Sequence, residues 1–139
     1  MQDPILIPEL DVSNLEQSLK FYTSVLGFTV MYERAEERFV MLEREGAQIM
    51  IEEAAGPGRR FTTADLHKPF GRGVNFQIKV SNINKLHDDV EKADHDFLIP
   101  LEEKWYKTLD AITGNKQFVI EDPDGYLLRF FEDLGTKPA

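Results

Sequence analysis

Acidic, amide and cationic side chains recur at alternate positions of several short apolar segments of this sequence, where they could bind a small molecule. Hydrogen bonds or charge would come from Glu9, Glu52, Asn75 and Gln77, and a positive charge from Arg129. Arg129 is expected to pair with Glu9 or Glu52, because an unpaired charge inside a protein is costly. The chemistry that this set supports is hydrogen bonding and charge attraction.

Aromatic side chains at other positions could stack against a planar ligand. Phe39 and Phe118 occupy matching positions of two similar halves of the sequence. Phe39 is predicted to share a strand face with Met50, and Phe118 with Arg129. They would form opposite walls of a cleft, with packing in the core as the alternative. Trp105 is the only tryptophan, and Phe61 lies in a polar segment that could close over a ligand.

The elements that position these residues follow from a repeat in the sequence. Val12–Leu15 returns 68 residues later as Val80–Ile83, each time between a strand-like run and a helix-like pattern. Glu43–Gly46 corresponds to Asp122–Gly125, 79 residues later, and each is a turn that ends in glycine. The period is too long for a solenoid. It predicts an α+β fold of two βαβββ modules in tandem, forming a cleft-containing curved mixed sheet with helices on its outer face.

The two modules are predicted to span residues 1–54 and 73–139 of a single structural domain. A linker at 55–72 is long for a plain loop, which favours a lid, with disorder as the alternative. The second offset exceeds the first by 11 residues, which predicts an insertion around 102–114 in module two. Trp105 lies in this insertion, and a segment that is not needed to complete a module is free to contact a ligand.

Each module is predicted to contain one helix and four strands. Ser13 and Ser81 precede the helical patterns and are predicted to be their N-caps. The predicted strands are residues 5–10, 28–32, 39–42 and 47–52 in module one and 74–80, 97–101, 117–121 and 126–131 in module two.

The alternation of side chains along these strands predicts two different faces. One class is apolar and is expected to pack on the helices: Leu6, Ile49, Ile51, Phe76, Ile78, Val80, Leu128 and Phe130. The other class mixes polar, charged and apolar groups: Ile7, Glu9, Gln48, Met50, Glu52, Asn75, Gln77, Leu127, Arg129 and Phe131. Mixed lining is typical of a ligand cleft, although a solvated dimer interface would have a similar composition.

Composition narrows the function classes. The chain has 139 residues, a net charge of -9, an apolar fraction of 42% and no cysteine. The acidic balance disfavours nucleic acid as a partner and weakly favours a cationic ligand. A signal peptide and a membrane span are not expected, and the lack of cysteine fits a cytoplasmic location.

Two motifs resemble one protein superfamily. The first is FYxxVLGF at residues 21–28, and the second is FVIEDPDGYLLRF at residues 118–130. With the pattern between them they resemble the vicinal-oxygen-chelate superfamily of glyoxalase I, extradiol dioxygenases, and fosfomycin- and bleomycin-resistance proteins. The resemblance covers about residues 5–133 and implies the fold of two βαβββ modules, which hosts several chemistries.

In the metal-dependent members that the chain resembles, four His or Glu ligands project from four strands. The resemblance assigns these positions to Ile7, Met50, Asn75 and Arg129. None is a usual ligand for the cations of those enzymes, so no metal or other cofactor is expected. A register error of two residues could bring Glu9 or Glu52 nearby but could not supply a histidine.

The chain resembles the bleomycin-resistance branch of this superfamily in two features, the expected lack of a metal site and the motif around Asp122–Gly125. That resemblance implies a homodimer that binds a planar, cationic antibiotic stoichiometrically and without chemistry. The leading hypothesis is therefore a non-enzymatic protein that sequesters a bleomycin-type ligand. Two alternatives are a lyase or oxidoreductase with a non-standard or absent metal site, and a structural or regulatory dimer with a vestigial cleft.

Overall fold

The computed structural model describes residues 4–59 and 61–139. Residues 1–3 and 60, which fall in the predicted first module and linker, lie outside the described residues. The chain divides into two compact units, each with one four-stranded mixed sheet. Unit 1 comprises the chain up to Phe70 with Pro123–Gly125, and unit 2 comprises Gly71–Asp122 with Tyr126–Ala139.

Unit 1 has the order strand, helix and three strands. Its elements are β1 (Glu9–Val12), α1 (Leu15–Lys20) continued by a π-helical turn (Phe21–Val25), β2 (Thr29–Arg34), a 3₁₀ turn (Ala35–Glu37), β3 (Phe39–Arg44) and β4 (Ala47–Glu53). The strands lie in the order β1-β4-β3-β2. β1 runs parallel to β4, and the other pairs are antiparallel.

Unit 2 repeats this order. Its elements are β5 (Asn75–Lys79), α2 (Ile83–Lys92), β6 (Ile99–Lys107), β7 (Ala111–Glu121) and β8 (Leu127–Pro138). The strands lie in the order β5-β8-β7-β6, again with the first strand parallel to the last. The prediction of an α+β fold with two βαβββ copies is therefore confirmed.

The helix caps lie one residue later than predicted. The side-chain oxygens of Asn14 and Asn82, rather than those of Ser13 and Ser81, accept the backbone N–H three residues further on, at 2.9 and 3.1 Å. Both asparagines have extended φ values, near -145° and -143°, as an N-cap requires. Ser13 is thereby left to bind elsewhere in unit 1.

The apolar face of sheet 1 forms the core of unit 1. Leu10, Ile49 and Ile51 are almost fully buried, and Leu10 lies beside Ile51 in the parallel pair. Leu6 was expected on this face but is 85% exposed, because β1 begins only at Glu9. Pro8 has no N–H to donate, so the ladder does not extend towards Leu6.

The two final hairpins differ in loop length although their sequences correspond. Two residues separate Arg44 from Ala47, whereas five separate Glu121 from Leu127. A change of one residue in loop length shifts the pairing of the two strands by one residue, which moves the side chains of the preceding strand to the opposite face. Corresponding residues of β3 and β7 therefore lie on opposite faces, because one loop length is even and the other is odd. The repeat offset therefore does not carry face assignments from β3 to β7.

The turn between β7 and β8 is held by buried carboxylates. The Asp124 side chain is fully buried and accepts hydrogen bonds from the Ser13 N–H at 3.0 Å and the Ser13 hydroxyl at 2.5 Å. Lys68 Nζ lies 3.5 Å from the same carboxylate. Asp122 accepts from the Tyr126 N–H at 2.9 Å. The motif thus has a structural role in positioning the first module's helix start.

The extra length of module two lies mostly in regular strands. β6 and β7 extend together from the Glu102–Gln117 pair to the Lys107–Ile112 pair. Trp105 stands opposite Gly114 within this hairpin. The residues around 102–114 therefore form a hairpin that extends sheet 2, with the end of β8 paired along the other side of β7, instead of an irregular loop.

Replacing Arg38 by glutamine is expected to lower stability in a pH-dependent way. Arg38 donates to Glu16 and Glu53, both at 2.6 Å, and these hydrogen bonds hold the pKa of both carboxyls below the ordinary value of 4.5. Groups with a lowered pKa stabilise the fold above the unfolded value, and their contribution is lost as the pH falls through the folded pKa.

The difference in urea midpoint between the wild type and Arg38→Gln should therefore be largest near neutral pH. It should shrink as the pH falls below 4.5. A difference that stays constant over this range would show that Arg38 acts through packing alone.

Candidate functional site

The mixed face of sheet 1 carries the candidate residues of the first module. Glu9 lies beside Met50 in the parallel pair, and Phe39 lies opposite Glu52 in the antiparallel one. Ile7, which the resemblance assigns to a metal-ligand position, precedes β1, and the strand pairing puts Glu9 beside Met50; the assignment of Ile7 stays a prediction. The register between strands far apart in sequence depends on how they pair, which the repeat alone does not specify.

In sheet 2, the pairing of β5 with β8 brings candidate residues of the second module together. Gln77 lies beside Arg129, and Asn75 lies beside Leu127. Arg129 Nη2 donates a hydrogen bond of 2.5 Å to Gln77 Oε1. Within unit 2, Arg129 makes no ion pair with a described residue, and its expected pairing with Glu9 or Glu52 of unit 1 stays a prediction. Its partner here is a neutral amide, which does not neutralise its charge.

Unit 1 contains a pocket of about 230 Å³ beside β1. It is lined by Asp11, Ala54, Thr62, Ala64, Asp65 and Leu66. Asp11 lies beside Glu52, whose side chain is almost fully buried against Gly58. Two carboxylates in the lining, Asp11 and Asp65, give this pocket an acidic character that suits a cationic group.

Unit 2 contains a larger pocket of about 380 Å³ on the mixed face of sheet 2. Its lining combines two aromatic rings with polar and charged groups: Gln77, Lys79, Tyr106, Thr108, Thr113, Asn115, Arg129, Phe131 and Asp133. Its size and composition are those of a small-molecule site.

The charge of the unit 2 pocket is positive on balance. Lys79 Nζ lies 3.9 Å from the Asp133 carboxylate, which offsets its charge. Arg129 has no such partner among the described residues of unit 2, so its charge is not offset there. The acidic charge of the whole chain therefore does not describe this pocket.

A buried hydrogen-bond chain supports one wall of the same pocket. Gln117 is 3% exposed, and its Nε2 donates to Glu102 Oε2 at 2.9 Å and to Tyr106 Oη at 2.7 Å. The acceptor carboxylate of Glu102 fixes which end of the amide faces it. Gln117 Oε1 and Arg129 Nε are both buried and have no hydrogen-bond partner among the described residues.

Phe118 does not lie on the mixed face. It pairs with Phe130 across β7 and β8, whereas Val119 pairs with Arg129. The Phe118 ring is fully buried, 5.4 Å from Phe97 and 5.7 Å from Phe130 between centroids. The prediction that Phe118 shares a face with Arg129 is wrong, because the five-residue loop reverses the parity of β7 relative to β8.

Trp105 also lies away from this pocket. Tyr106 pairs with Thr113 and both line the pocket, so its neighbour Trp105 projects from the opposite face. There the Trp105 ring covers Gly114, and Lys137 Nζ lies 4.0 Å from the ring centroid. The prediction that Trp105 stacks on a ligand in this site is therefore not supported by its position.

The other two aromatic candidates lie in unit 1. Phe39 is on the mixed face of sheet 1 with Met50, as predicted, but is 2% exposed beneath Arg34, whose guanidinium carbon lies 4.0 Å from the ring centroid. Phe61 is 73% exposed, with Arg59 over its ring at 5.0 Å. The Phe39 ring is thus buried beneath the Arg34 side chain on this face, and the role of Phe61 as a lid stays a prediction.

Sequence reasoning missed several residues of the unit 2 pocket. Two of them, Tyr106 and Asn115, lie within the predicted insertion or just after it. Gln117, which supports the pocket wall through Tyr106, begins the next predicted strand, whose register was unknown. Alternation along β7 and β6 would have found them, had the pairing of Val119 with Arg129 been known. Lys79 is the last residue of β5, and Asp133 was missed because the predicted strand ended at residue 131 whereas β8 continues to Pro138.

The paired strand positions of each unit do not by themselves fit a divalent metal. Glu9 lies beside Met50 in unit 1, and Gln77 lies beside Arg129 in unit 2. A thioether is a soft ligand and a guanidinium repels a cation, so each pair offers a metal one oxygen ligand only, the Glu9 carboxylate or the Gln77 amide oxygen. Among the residues that the structure describes, no cluster of three or more His, Cys, Asp or Glu side chains could hold a metal ion.

No described helix is long and apolar enough to cross a membrane.

Comparison with known proteins finds a matching family model and several proteins of similar sequence. A family model described as "Glyoxalase/Bleomycin resistance protein/Dioxygenase superfamily" matches residues 5–130. A protein named "Bleomycin resistance protein" from Geobacillus stearothermophilus is 27% identical, covering 92% of this chain and 96% of its own length. Mouse "Glyoxalase domain-containing protein 4" is 29% identical over 94% of this chain but only 41% of its own length.

Solved structures share the fold. TioX from Micromonospora sp. ML1 superposes with a TM-score of 0.70 at 20% identity, covering 93% of this chain and 98% of TioX. A virulence protein from Salmonella typhimurium gives a TM-score of 0.69, also at 20% identity, with 95% and 98% coverage. At such identities the likeness concerns the fold alone.

Proposed function

Because this chain belongs to the glyoxalase/bleomycin resistance protein/dioxygenase superfamily, we propose that it binds a small molecule without transforming it and sequesters a bleomycin-type antibiotic. The relatives named bleomycin resistance protein, similar over most of the chain, support this choice of ligand class. A cytoplasmic location is part of the same proposal.

The observation that carries the proposal is the uncompensated guanidinium of Arg129 at the centre of sheet 2, beside Gln77. A fixed positive charge disfavours a bound cation at that position, and Met50 offers only a thioether at the corresponding position of sheet 1. Arg129 can instead orient a ligand by hydrogen bonds, which requires no chemistry at the ligand.

Each pocket offers a different kind of contact. Phe131 and Tyr106 in the unit 2 pocket offer rings for stacking against a planar group. In unit 1, Asp11 and Asp65 line a pocket whose carboxylates attract a cationic group. The unit 2 lining therefore supports the proposal of a planar ligand, and the unit 1 lining supports the proposal of a cationic one.

Titration calorimetry with bleomycin tests this function directly. We expect saturation at about one bleomycin per chain, with a dissociation constant of about 10 µM or lower. Bleomycin recovered after long incubation should have an unchanged mass. Binding that is undetectable at about 100 µM would remove this ligand, and a changed mass would show that the protein is an enzyme.

The alternative is an enzyme of the same superfamily, and the position of Glu9 is the observation that favours it. Glu9 is a carboxylate beside Met50, two residues from the position expected to hold a ligand. Metal analysis of dialysed protein separates the two functions. Our proposal expects no stoichiometric divalent metal, whereas metal that is retained by the wild type and lost in Glu9→Gln would favour the enzyme.

We also propose that the protein is a homodimer that pairs through β2. This edge strand of sheet 1 is exposed along its whole length, and its apolar residues Val30, Met31 and Tyr32 are 43–48% exposed. Exposed strand edges commonly pair with a second copy.

Sedimentation should give about twice the chain mass of 16.0 kDa. Met31→Glu should shift the protein towards the monomer, since it places a charge in the proposed interface. Leu109→Glu, a matched change at a 98% exposed residue between β6 and β7, should leave the dimer intact. A wild-type monomer at micromolar concentration would contradict the proposal.

A further inference from the structure

We infer that the unit 2 pocket binds an oxyanion of the ligand, such as a carboxylate, next to a planar ring. This inference rests on the proposed binding function of the same pocket and names the group that the pocket selects. It departs from the expectation of a purely cationic ligand, because the charge inside this pocket has the opposite sign to that of the whole chain.

Arg129 supplies the charge. Its guanidinium is half-buried in the pocket lining, and its one hydrogen bond within the described protein goes to the neutral amide of Gln77. A guanidinium has five N–H donors in a planar fork that matches the two oxygens of a carboxylate. Most of this donor capacity is therefore unused, and an oxyanion would both neutralise the charge and occupy the fork.

Tyr106 supplies a second donor. Its oxygen accepts a hydrogen bond from Gln117 Nε2, whose other hydrogen is held by the Glu102 carboxylate. Since Gln117 gives a hydrogen to Tyr106, the Tyr106 hydroxyl hydrogen is free to point elsewhere. Tyr106 lines the pocket, so its hydroxyl can donate to an acceptor there.

Two buried polar atoms on this face of sheet 2 lack hydrogen bonds. Arg129 Nε, a donor, and Gln117 Oε1, an acceptor, have no partner among the described residues. They lie on adjacent strands of one face, because Gln117 pairs with Phe131 two residues beyond Arg129. An oxyanion only accepts hydrogen bonds, so one that reorients the guanidinium can pair with the N–H groups of Arg129, whereas Gln117 Oε1 would need a donor.

The remaining lining disfavours a cation at this point. Lys79 is offset by Asp133 at 3.9 Å, so an ammonium group entering the pocket would meet the charge of Arg129 without a free carboxylate beside it. The rings of Phe131 and Tyr106 leave room for a flat group in a pocket of about 380 Å³. The lining thus selects for an aromatic carboxylate over an aromatic amine.

Three probes with one ring system test the inference: 2-naphthoate, 2-naphthamide and 2-naphthylmethylammonium, titrated by calorimetry near neutral pH. We expect the carboxylate to bind most tightly and the ammonium most weakly, with about a tenfold difference or more between them. The preference should fall with added salt, because an exposed part of the charge attraction is screened.

Arg129→Gln should abolish the preference for the carboxylate. Tyr106→Phe should weaken binding of the carboxylate, and to a smaller extent of the amide, while leaving the ammonium probe unchanged. Lys137→Gln is the matched control, since it removes the same charge from the opposite face, where Lys137 covers Trp105. It should keep the full preference. Circular dichroism of each variant checks that the fold is retained.

Equal or tighter binding of the ammonium, undetectable naphthoate binding, or an Arg129→Gln variant that keeps the preference would overturn the inference. Bleomycin binding to the wild type with no carboxylate preference among the probes would sink the inference and leave the proposed function standing. Naphthoate binding through Arg129 without bleomycin binding would do the reverse.

Discussion

Replacing Phe118 by alanine is expected to destabilise the protein by about 3–5 kcal/mol, the usual cost of removing a buried aromatic ring. Phe118 is fully buried in unit 2 and packs edge-on against His87 and Phe97 and at a tilt against Phe130. The loss combines the apolar area returned to water with a cavity that α2 and the sheet cannot fill. The free energy of unfolding in urea measures it.

Phe61→Ala is the matched control for this prediction. Phe61 is 73% exposed, so its removal should change stability by only about 0.5 kcal/mol or less. Phe118→Leu should fall between the two and keeps the comparison measurable if the alanine variant does not fold. If Phe118 were a wall of the ligand site, Phe118→Ala would leave stability near that of Phe61→Ala and weaken ligand binding instead.

The second large effect is expected at Gly125, which ends the turn between β7 and β8. Its φ of +98° is unfavourable for any residue with a Cβ, and a Cβ there would lie 2.5 Å from Pro69 Cβ and 2.7 Å from Pro69 Cα. Gly125→Ala therefore combines backbone strain with a clash against backbone that cannot rotate away. Both contributions lower the free energy of unfolding.

Gly46 provides the control because it ends the corresponding turn of module one. Its φ of +94° is nearly the same, but a Cβ added there would meet nothing within 4 Å. Gly46→Ala should cost about 1–2 kcal/mol from strain alone, and Gly125→Ala about 1–3 kcal/mol more from the clash. Equal losses in the two variants would show that the contact with Pro69 yields easily.

The repeat correctly predicted the order of elements and the fold class. Alternation of apolar residues, the spacing of helical positions and the turn glycines are local signals, and local hydrogen bonding and side-chain direction respond to them directly. The strands from β2 to β5 begin within a residue of their predicted starts. The helix caps were missed by one residue because serine and asparagine stand side by side and both can cap.

The candidate site was harder to predict, since it depends on strand register. Glu9 was predicted to contact a ligand, and the structure places it beside Met50. The metal-ligand position of the same segment was assigned to Ile7 instead. Gln77 and Arg129 were also named separately, and only the pairing of β5 with β8 brings them into contact. Tyr106 and Gln117 were not named at all.

The sequence by itself determined the two modules, the mixed character of one sheet face and the presence of Arg129 among its residues. Tertiary structure alone decided which neighbours share that face. Because side chains alternate with a period of two, the odd loop between β7 and β8 turned Phe118 into the core. The pairing of β6 with β7 likewise put Tyr106 in the pocket and Trp105 outside it. Register between distant strands is set by loop geometry and packing, which no local pattern records.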